Sequence, residues 1–190
     1  MKFATCGAVA TVLLFAGAAG ANEFETELTD LANGRIAELV QSSQIIDAIK
    51  NQNSNTAGFD QSKIDELDQT WRAETDAADQ PMIDDVLSRE VSIFLADAQD
   101  GSDGLFTEIF VMDAKGLNVG QSDVTSDYWQ GDEAKWQKTF KVGADAIHVG
   151  ELEEDESTQT LQSQVSVSVA DPESGEVIGA VTFGVNVDNI

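Results

Sequence analysis

The sequence predicts an α+β protein in which helices come first and antiparallel strands follow. Up to Gly104 the apolar residues recur at helical spacing. Beyond Gly104 they cluster in short runs separated by Gly, Asp and Ser, as expected for strands and turns. With 190 residues, the chain is long enough to bury a core of its own. We therefore expect one domain, an antiparallel sheet with a long N-terminal helix and further short helices packed on it.

Before Gly104 the sequence predicts three helical regions. Apolar residues at spacings of three and four indicate one long amphipathic helix over residues 23–50. The polar stretch 51–58 is expected to end this helix. A second helix is expected to begin near Asp60. Pro81 suits the first turn of a third helix, which continues through residues 92–98.

After Gly104 the sequence predicts a strand meander. An Asp-x-x-Gly turn, Asp113 to Gly116, joins the first two strands, and a turn over residues 171–175 joins the last two. One or two helical turns are expected over residues 134–140. The predicted strands are residues 105–112, 117–121, 147–152, 161–169 and 176–187.

The first 21 residues have the pattern of a signal peptide. An apolar stretch over residues 3–16 is followed by Ala19-Gly20-Ala21, a cleavage pattern, before Asn22. The stretch is too short for a transmembrane helix, which takes about 20 apolar residues. Cleavage would remove Cys6, the only cysteine, and an exported chain without disulfides fits the bacterial periplasm. We expect residues 22–190 to form a soluble periplasmic domain that does not insert into the membrane after cleavage.

The charge of the chain restricts its partners. A net charge of -25 at pH 7, from 10 Lys+Arg against 35 Asp+Glu, repels nucleic acid and anionic lipid. The oxygen-rich segments 97–104 and 151–156 do not have EF-hand spacing, although calcium remains an open alternative for them. One histidine and a mature chain without cysteine argue against zinc. We expect no metal and no other cofactor.

Enzymatic activity is not expected. A Ser-His-Asp triad would have to use His148, the only imidazole, and no nucleophile-elbow sequence lies near it. The chain also has no glycine-rich phosphate loop. The sequence therefore favours a binding module over a catalyst.

Three segments resemble a known family. They are the hairpin Ile109-Phe-Val-Met-Asp-Ala-Lys-Gly116, the loop Ser126-Asp-Tyr-Trp-Gln-Gly131, and the C-terminal hairpin around residues 171–181. Together they resemble the single Cache (PDC, PAS-like) extracytoplasmic sensor domains over nearly the whole mature chain. The resemblance implies a PAS-like antiparallel sheet with a cavity between sheet and loop for a small organic acid, amine or related metabolite. It also implies a membrane receptor or histidine kinase as signalling partner.

Two departures from the family affect what the resemblance implies. We find no membrane segment on either side of the expected domain in this sequence, so we expect any signal to pass through a separate protein. The amino-acid-recognition pattern of the double-Cache receptors, with Tyr, Arg and Trp-Tyr at set spacing, is not found.

The candidate site combines the loop with the C-terminal strands. Aromatic side chains wall ligand pockets well, because they pair a large apolar surface with a polar tip. The alternative to ligand binding is core packing for Trp129 and Trp136, and capping of a helix or turn for Asp127. The strand residues face either a cavity or solvent. The predicted ligand-binding residues are Ser126, Asp127, Tyr128, Trp129, Trp136, Gln164 and Thr182.

Two functions follow from these patterns. The first is a periplasmic sensor that binds a small metabolite and passes the information to a membrane receptor or kinase. The alternative is an assembly protein with a filled core, which would use the apolar stripe of the first helix as a homodimer seam or docking surface.

Overall fold

The computed structural model describes residues 22–154 and 160–190 of the chain. The predicted signal peptide and the end of the acidic segment 151–156 lie outside the described residues. Within the described residues, five strands form one antiparallel sheet in the order β2-β1-β5-β4-β3. The predicted α+β class is confirmed. The strands are β1 (Phe106–Met112), β2 (Asn118–Gln121), β3 (Ile147–Glu154), β4 (Leu161–Ala170) and β5 (Val177–Asn186).

Helices occupy most of the chain before β1, as predicted. Asp60 caps the second predicted helix by accepting the Lys63 N–H at 3.0 Å, and Pro81 lies in the first turn of the third. Among the described residues, no helix combines the length and the apolar character needed to cross a membrane. The helices are α1 (Glu25–Leu31), α2 (Ala37–Val40), α3 (Ser43–Thr56), α4 (Gln61–Thr75), α5 (Pro81–Leu87), α6 (Glu90–Asp100) and α7 (Ala134–Gln137). A π-helical turn, Ala32–Ile36, joins α1 to α2.

The N-terminal helix differs from the prediction at two points. It breaks at Ser42, whose backbone is extended, so α3 is a separate helix. Helix α3 then continues to Thr56 through the polar stretch that was expected to end it. Hydrogen bonds to residues distant in the sequence explain why the helix continues. Asn53 Nδ2 donates to the Ile178 carbonyl at 2.7 Å, and Asn53 Oδ1 accepts the Ala114 N–H at 2.8 Å. These polar residues form a docking face on the sheet, not a helix terminus.

One face of the sheet carries the main hydrophobic core. Helices α1, α3 and α6 pack on it, and it includes Val165, Val167 and Val169, whose alternation predicted one buried face. The apolar stripe of the N-terminal helix is buried in the same core and packs on the chain's own sheet, whereas the assembly alternative needs it for a partner. The stripe consists of Leu28, Ala32, Ile36 and Val40.

A second apolar cluster joins α4 and α5 to the loop after β2. The Glu74 carboxylate of α4 accepts the backbone N–H groups of Met82 and Ile83 at 2.8 and 3.0 Å, which fixes the first turn of α5. The buried members of this cluster are Ile64, Trp71, Ile83, Val86, Leu117 and Tyr128.

The turn between β1 and β2 is built around a buried carboxylate, Asp113. Its Oδ1 accepts the backbone N–H groups of Lys115 and Leu117 at 2.8 and 2.9 Å. Its Oδ2 accepts Gln52 Nε2 at 3.2 Å and Thr56 Oγ1 at 2.9 Å, both from α3. A buried charge requires such partners, and here they join the helical layer to the hairpin.

We expect Asp113→Ala to lower the free energy of unfolding by about 3–5 kcal/mol, because it leaves several buried donors without acceptors. Urea denaturation followed by far-UV circular dichroism measures this change. Asp30→Ala, at an exposed position on α1, should change stability by less than about 0.5 kcal/mol. A loss below about 1 kcal/mol for Asp113→Ala would contradict the central role of this carboxylate.

Candidate ligand-binding site

The second face of the sheet carries both apolar and polar residues and is covered; its apolar part is Phe110, Met112 and Ala180, which pack with Trp136. Ser166 of β4 and Thr182 of β5 are fully buried, and their hydroxyl oxygens lie 2.9 Å apart in a hydrogen bond. The segment that contains α7 covers this face, with Trp136 stacked on Phe140 at 4.9 Å between ring centroids. Ser166 and Thr182 therefore face the interior of the protein, not solvent.

A cavity of about 450 Å³ lies between this face and α7. We call it the sheet cavity. The strands contribute His148, Gln164 and Ser166, and α7 with its flanking residues contributes Lys135 and Lys138. Asn22 and Glu25, at the start of the N-terminal helix, complete the wall together with Glu151 and Glu153 of β3.

The two lysines of the sheet cavity differ in whether their ammonium groups are already engaged by other residues of the protein. Lys135 Nζ lies 3.0 Å from Glu133 Oε2 and 3.2 Å from Gln130 Oε1, and it also lies 5.1 Å from the centre of the Phe110 ring. Lys138 is exposed and has no ion-pair partner within the part of the chain that the structure describes. Lys138 is therefore the cation that an anionic group in this cavity would meet first.

The other polar residues of the sheet cavity are carboxylates, which are opposite in charge to the lysines, and neutral hydrogen-bonding side chains. Gln164 Nε2 donates to Glu108 Oε1 at 2.9 Å. The pKa of His148 is lowered by burial, and further by the nearby Lys138 ammonium, so the ring is neutral at pH 7. Carboxylates from α1 and β3 and cations from α7 thus surround one small space.

The loop after β2 is clamped to α4. The Asp68 Oδ1 atom accepts the backbone N–H groups of Tyr128 and Trp129, each at 3.0 Å. Arg72 Nε donates to Asp68 Oδ2 at 2.7 Å, and Arg72 Nη2 lies 2.7 Å from Asp127 Oδ1. Asp68 and Arg72 therefore set the position of the loop before any ligand contacts it.

Trp129 of the loop and Trp136 of α7 contact the hairpin turn. Trp129 Nε1 donates to the Lys115 carbonyl at 2.9 Å, and Trp136 Nε1 donates to the Asp113 carbonyl at 3.1 Å. Gly131 allows the Trp129 ring to approach, because a Cβ at Gly131 would lie only 2.4 Å from Trp129 Nε1. Both rings thus have packing roles, and a ligand role for either stays a prediction.

The other predicted residues lie in different places. Ser126 is exposed and donates to Asp127 Oδ2 at 2.9 Å. Gln164 lines the sheet cavity, and Thr182 lies beneath it, bonded to Ser166. Tyr128 is buried and lines a different cleft. Of the seven predicted residues, Gln164 lines the sheet cavity, Tyr128 lines the second cleft and the other five line neither, so a role of this set in binding remains a prediction.

The second site is a cleft of about 990 Å³, which we call the α3 cleft. Its walls come from one side of α3, from the start of α6 and from Tyr128. The Tyr128 ring stacks on Trp71 at 5.4 Å between centroids. Burial raises the pKa of the Tyr128 hydroxyl, and the Arg89 guanidinium opposes that shift, so Tyr128 stays protonated at neutral pH.

Sequence reasoning missed most residues of the sheet cavity, among them Asn22, Lys138 and His148. From the sequence, Asn22 is only the residue after the cleavage pattern, His148 is only the single imidazole of the chain, and Lys138 is not among the predicted residues. The available signal for Lys138 was its spacing of three from Lys135 on a short helix beside the predicted loop. Nothing local to Asn22 or His148 indicates that the fold brings them to the same cavity.

Comparison with known proteins gives structural matches alone. No family model matches the chain, and no curated protein matches it. One match is the ligand-binding domain of a Campylobacter jejuni chemoreceptor in complex with 4-methylisoleucine, at TM-score 0.41 and 11% identity, covering 87% of this chain and 61% of that chain. A second is the ligand-binding domain of a Pseudomonas aeruginosa amino acid chemoreceptor in complex with GABA, at TM-score 0.35 and 15% identity, covering 86% and 60%.

A third match is the sensor domain of a V. cholerae histidine kinase, at TM-score 0.39 and 10% identity, covering 88% of this chain and 58% of that chain. All three matched structures are sensor or ligand-binding domains. The chain spans about three fifths of the length of each of these three domains.

We expect the imidazole of His148 to titrate below its ordinary pKa of 6.5. Because the folded state depresses this pKa, neutral His148 contributes stability above pH 6.5, and the contribution is lost as the pH falls through the folded-state pKa. Lys138→Gln should raise the pKa of His148 toward 6.5, since it removes the neighbouring charge.

The measurement is a pH titration of the imidazole signals in ¹H–¹³C NMR spectra, which are unambiguous because the chain has 1 His. Lys63→Gln, on α4, is the matched control and should leave the titration unchanged. A pKa at or above 6.5 in the unsubstituted protein would contradict the dominance of burial and of the Lys138 charge at His148.

Proposed function

We propose that this chain is an exported, non-catalytic sensor domain that binds a small metabolite in the sheet cavity and reports occupancy through its N-terminal helix. In this proposal the signal peptide is removed after Ala21 and residues 22–190 act in the periplasm. A membrane receptor or histidine kinase receives the signal. One observation carries the proposal, which is that the first residues of the N-terminal helix line the same cavity as the sheet and α7.

The contact between helix and cavity is specific. Asn22 Nδ2 donates to the Gly150 carbonyl at 2.8 Å and to Ser163 Oγ at 3.0 Å. Asn22 Oδ1 accepts the Phe24 N–H at 3.0 Å, at the start of α1. One side chain therefore connects β3 and β4 to the first turn of α1. A ligand that moves the cavity wall at Gly150 would change the position of this turn.

The N-terminal helical layer is built so that its parts can move separately. The π-helical turn, Ala32–Ile36, and the extended Ser42 lie between α1 and α3. Helix α3 is fixed to the hairpin by Gln52 and Thr56 through Asp113. Motion at the start of α1 therefore need not displace α3, and α1 is the element that we assign to signal relay.

The charges of the sheet cavity favour a small zwitterionic metabolite. Lys138 offers a cation to a carboxylate, and Glu25, Glu151 and Glu153 offer carboxylates to an ammonium group. A volume of about 450 Å³ lies in the range of small-molecule sites. An anion without an ammonium group would be opposed by the carboxylates of the same wall.

The arrangement around the one imidazole supports a non-catalytic role. The Ser166 hydroxyl lines the same cavity as His148, but its hydrogen bond is with Thr182 Oγ1 at 2.9 Å. A serine nucleophile needs a hydrogen bond to its base. The residues around the sheet cavity therefore fit recognition better than hydrolysis.

A thermal-shift screen against zwitterionic, carboxylate and amine metabolites should give a chemically coherent set of stabilising compounds. A ligand at 100 times its dissociation constant stabilises by about 2.7 kcal/mol, which is several degrees for a domain of this size. Lys138→Gln should weaken binding of these compounds about tenfold, whereas the control Lys63→Gln should not. Silence across the screen, or equal loss in both variants, would reject the sheet cavity as the sensory site.

Asn22→Ala should separate binding from relay. It removes the link between the sheet and the first turn of α1 but none of the charges proposed to hold the ligand. We expect ligand affinity within about threefold of the unsubstituted protein, because neutral contacts at a cavity rim contribute little. Hydrogen exchange of α1 amides should slow on ligand binding in the unsubstituted protein and not in Asn22→Ala. An unchanged exchange response in the variant would contradict the relay role.

A further inference from the structure

The proposed function leaves the larger α3 cleft without a role. Helix α3 packs on one face of the sheet, and the sheet cavity lies on the other. The two sites have no lining residue in common. Whatever binds in the α3 cleft is therefore recognised by a separate set of groups.

One end of the α3 cleft is apolar and aromatic. Phe59, Leu67 and Met82 line it, together with the buried ring of Tyr128. Phe59, Leu67 and Met82 are partly buried members of the cluster around Trp71, so their remaining surface is presented to the cleft. Aromatic and thioether side chains of this kind contact flat or branched apolar groups well.

The one cation in the cleft wall is already used by the protein. Arg89 Nη1 donates to Gln52 Oε1 at 3.0 Å and to the Val119 carbonyl at 2.8 Å. Arg89 Nη2 donates to Asp85 Oδ2 at 2.9 Å. The guanidinium is therefore neutralised by Asp85 and held in place as part of the wall, and it is not free for a ligand carboxylate.

Two carboxylates of the cleft wall remain free. Asp47 and Glu90 are exposed residues of the lining, and neither forms an ion pair with any residue in the ranges 22–154 and 160–190. Lys50, one turn after Asp47 on α3, is bonded to Asp171 at 3.0 Å. The cleft thus carries net negative charge beside an apolar end, and the overall charge of -25 adds to its negative potential.

We propose that the α3 cleft is a second ligand site, for an organic amine whose ammonium group is held by Asp47 and Glu90. Its apolar body packs against Phe59, Met82 and Tyr128. The amide side chains of Asn51 and Asn55, on the same side of α3, supply further hydrogen bonds. An anion of the same shape is excluded by the two carboxylates, which makes the site selective by charge.

The test uses three probes of similar shape and different charge, which are 2-phenylethylamine, 2-phenylethanol and phenylacetate. Each is titrated into the purified protein and followed by ¹H–¹⁵N NMR. The amine should shift the signals of α3 residues 47–55 and of Tyr128, with affinity at least about fivefold higher than the alcohol. Phenylacetate should leave these signals unchanged.

The double variant Asp47→Asn with Glu90→Gln should reduce the affinity for the amine to that for the alcohol. Both positions are exposed, so the fold is expected to persist, and Asp30→Asn on α1 is the matched control. Equal binding of amine and phenylacetate, shifts confined to the sheet cavity, or no shift with any probe at tens of millimolar would each overturn the proposal. Lys138→Gln should not affect the amine titration, so failure of this site and failure of the sheet cavity are distinguishable.

Discussion

The Asp113 carboxylate is the interaction on which the rest of the structure depends. It accepts two backbone N–H groups of its own turn and two side-chain donors of α3, while its carbonyl oxygen accepts the Trp136 indole N–H. Without these donors, the desolvation free energy of burying the carboxylate would not be compensated. Helix α3, the β1–β2 hairpin and the α7 segment therefore meet at one residue, and both concave sites are bounded by elements fixed there.

Polar side chains carry much of the long-range organisation of this protein. Gln52 extends the contacts of Asp113 to the carbonyls of Leu117 and Asn118 and, through its own oxygen, to Arg89. Asp68 plays the same part for the loop after β2, since it accepts two loop N–H groups and pairs with Arg72. Such networks fix geometry because every member must be satisfied at the same time. They position the walls of the clefts before a ligand arrives.

Charge separates the two sites within a strongly acidic chain. Among residues 22–154 and 160–190, Lys138 of the sheet cavity and the carboxylates of Asp47 and Glu90 in the α3 cleft form no ion pair, whereas Arg89 of the α3 cleft is neutralised by Asp85. The net charge of -25 would by itself favour cations without discrimination. Within the described residues, the sheet cavity has a free lysine and the α3 cleft does not, so the two sites would bind ligands of different charge.

Local physics determined most of the fold from the sequence. Period-two alternation gave the buried face of β4, the Asp113–Gly116 turn gave the first hairpin, and Asp60 and Pro81 marked the starts of α4 and α5. Tertiary structure decided the rest. Helix α3 continues through Asn53 because its partners lie on the hairpin and on β5, more than 60 residues away. Tertiary contacts also bury the side chain of Thr182. They bring Asn22, Lys138 and His148 to one cavity, which no short stretch of sequence could indicate.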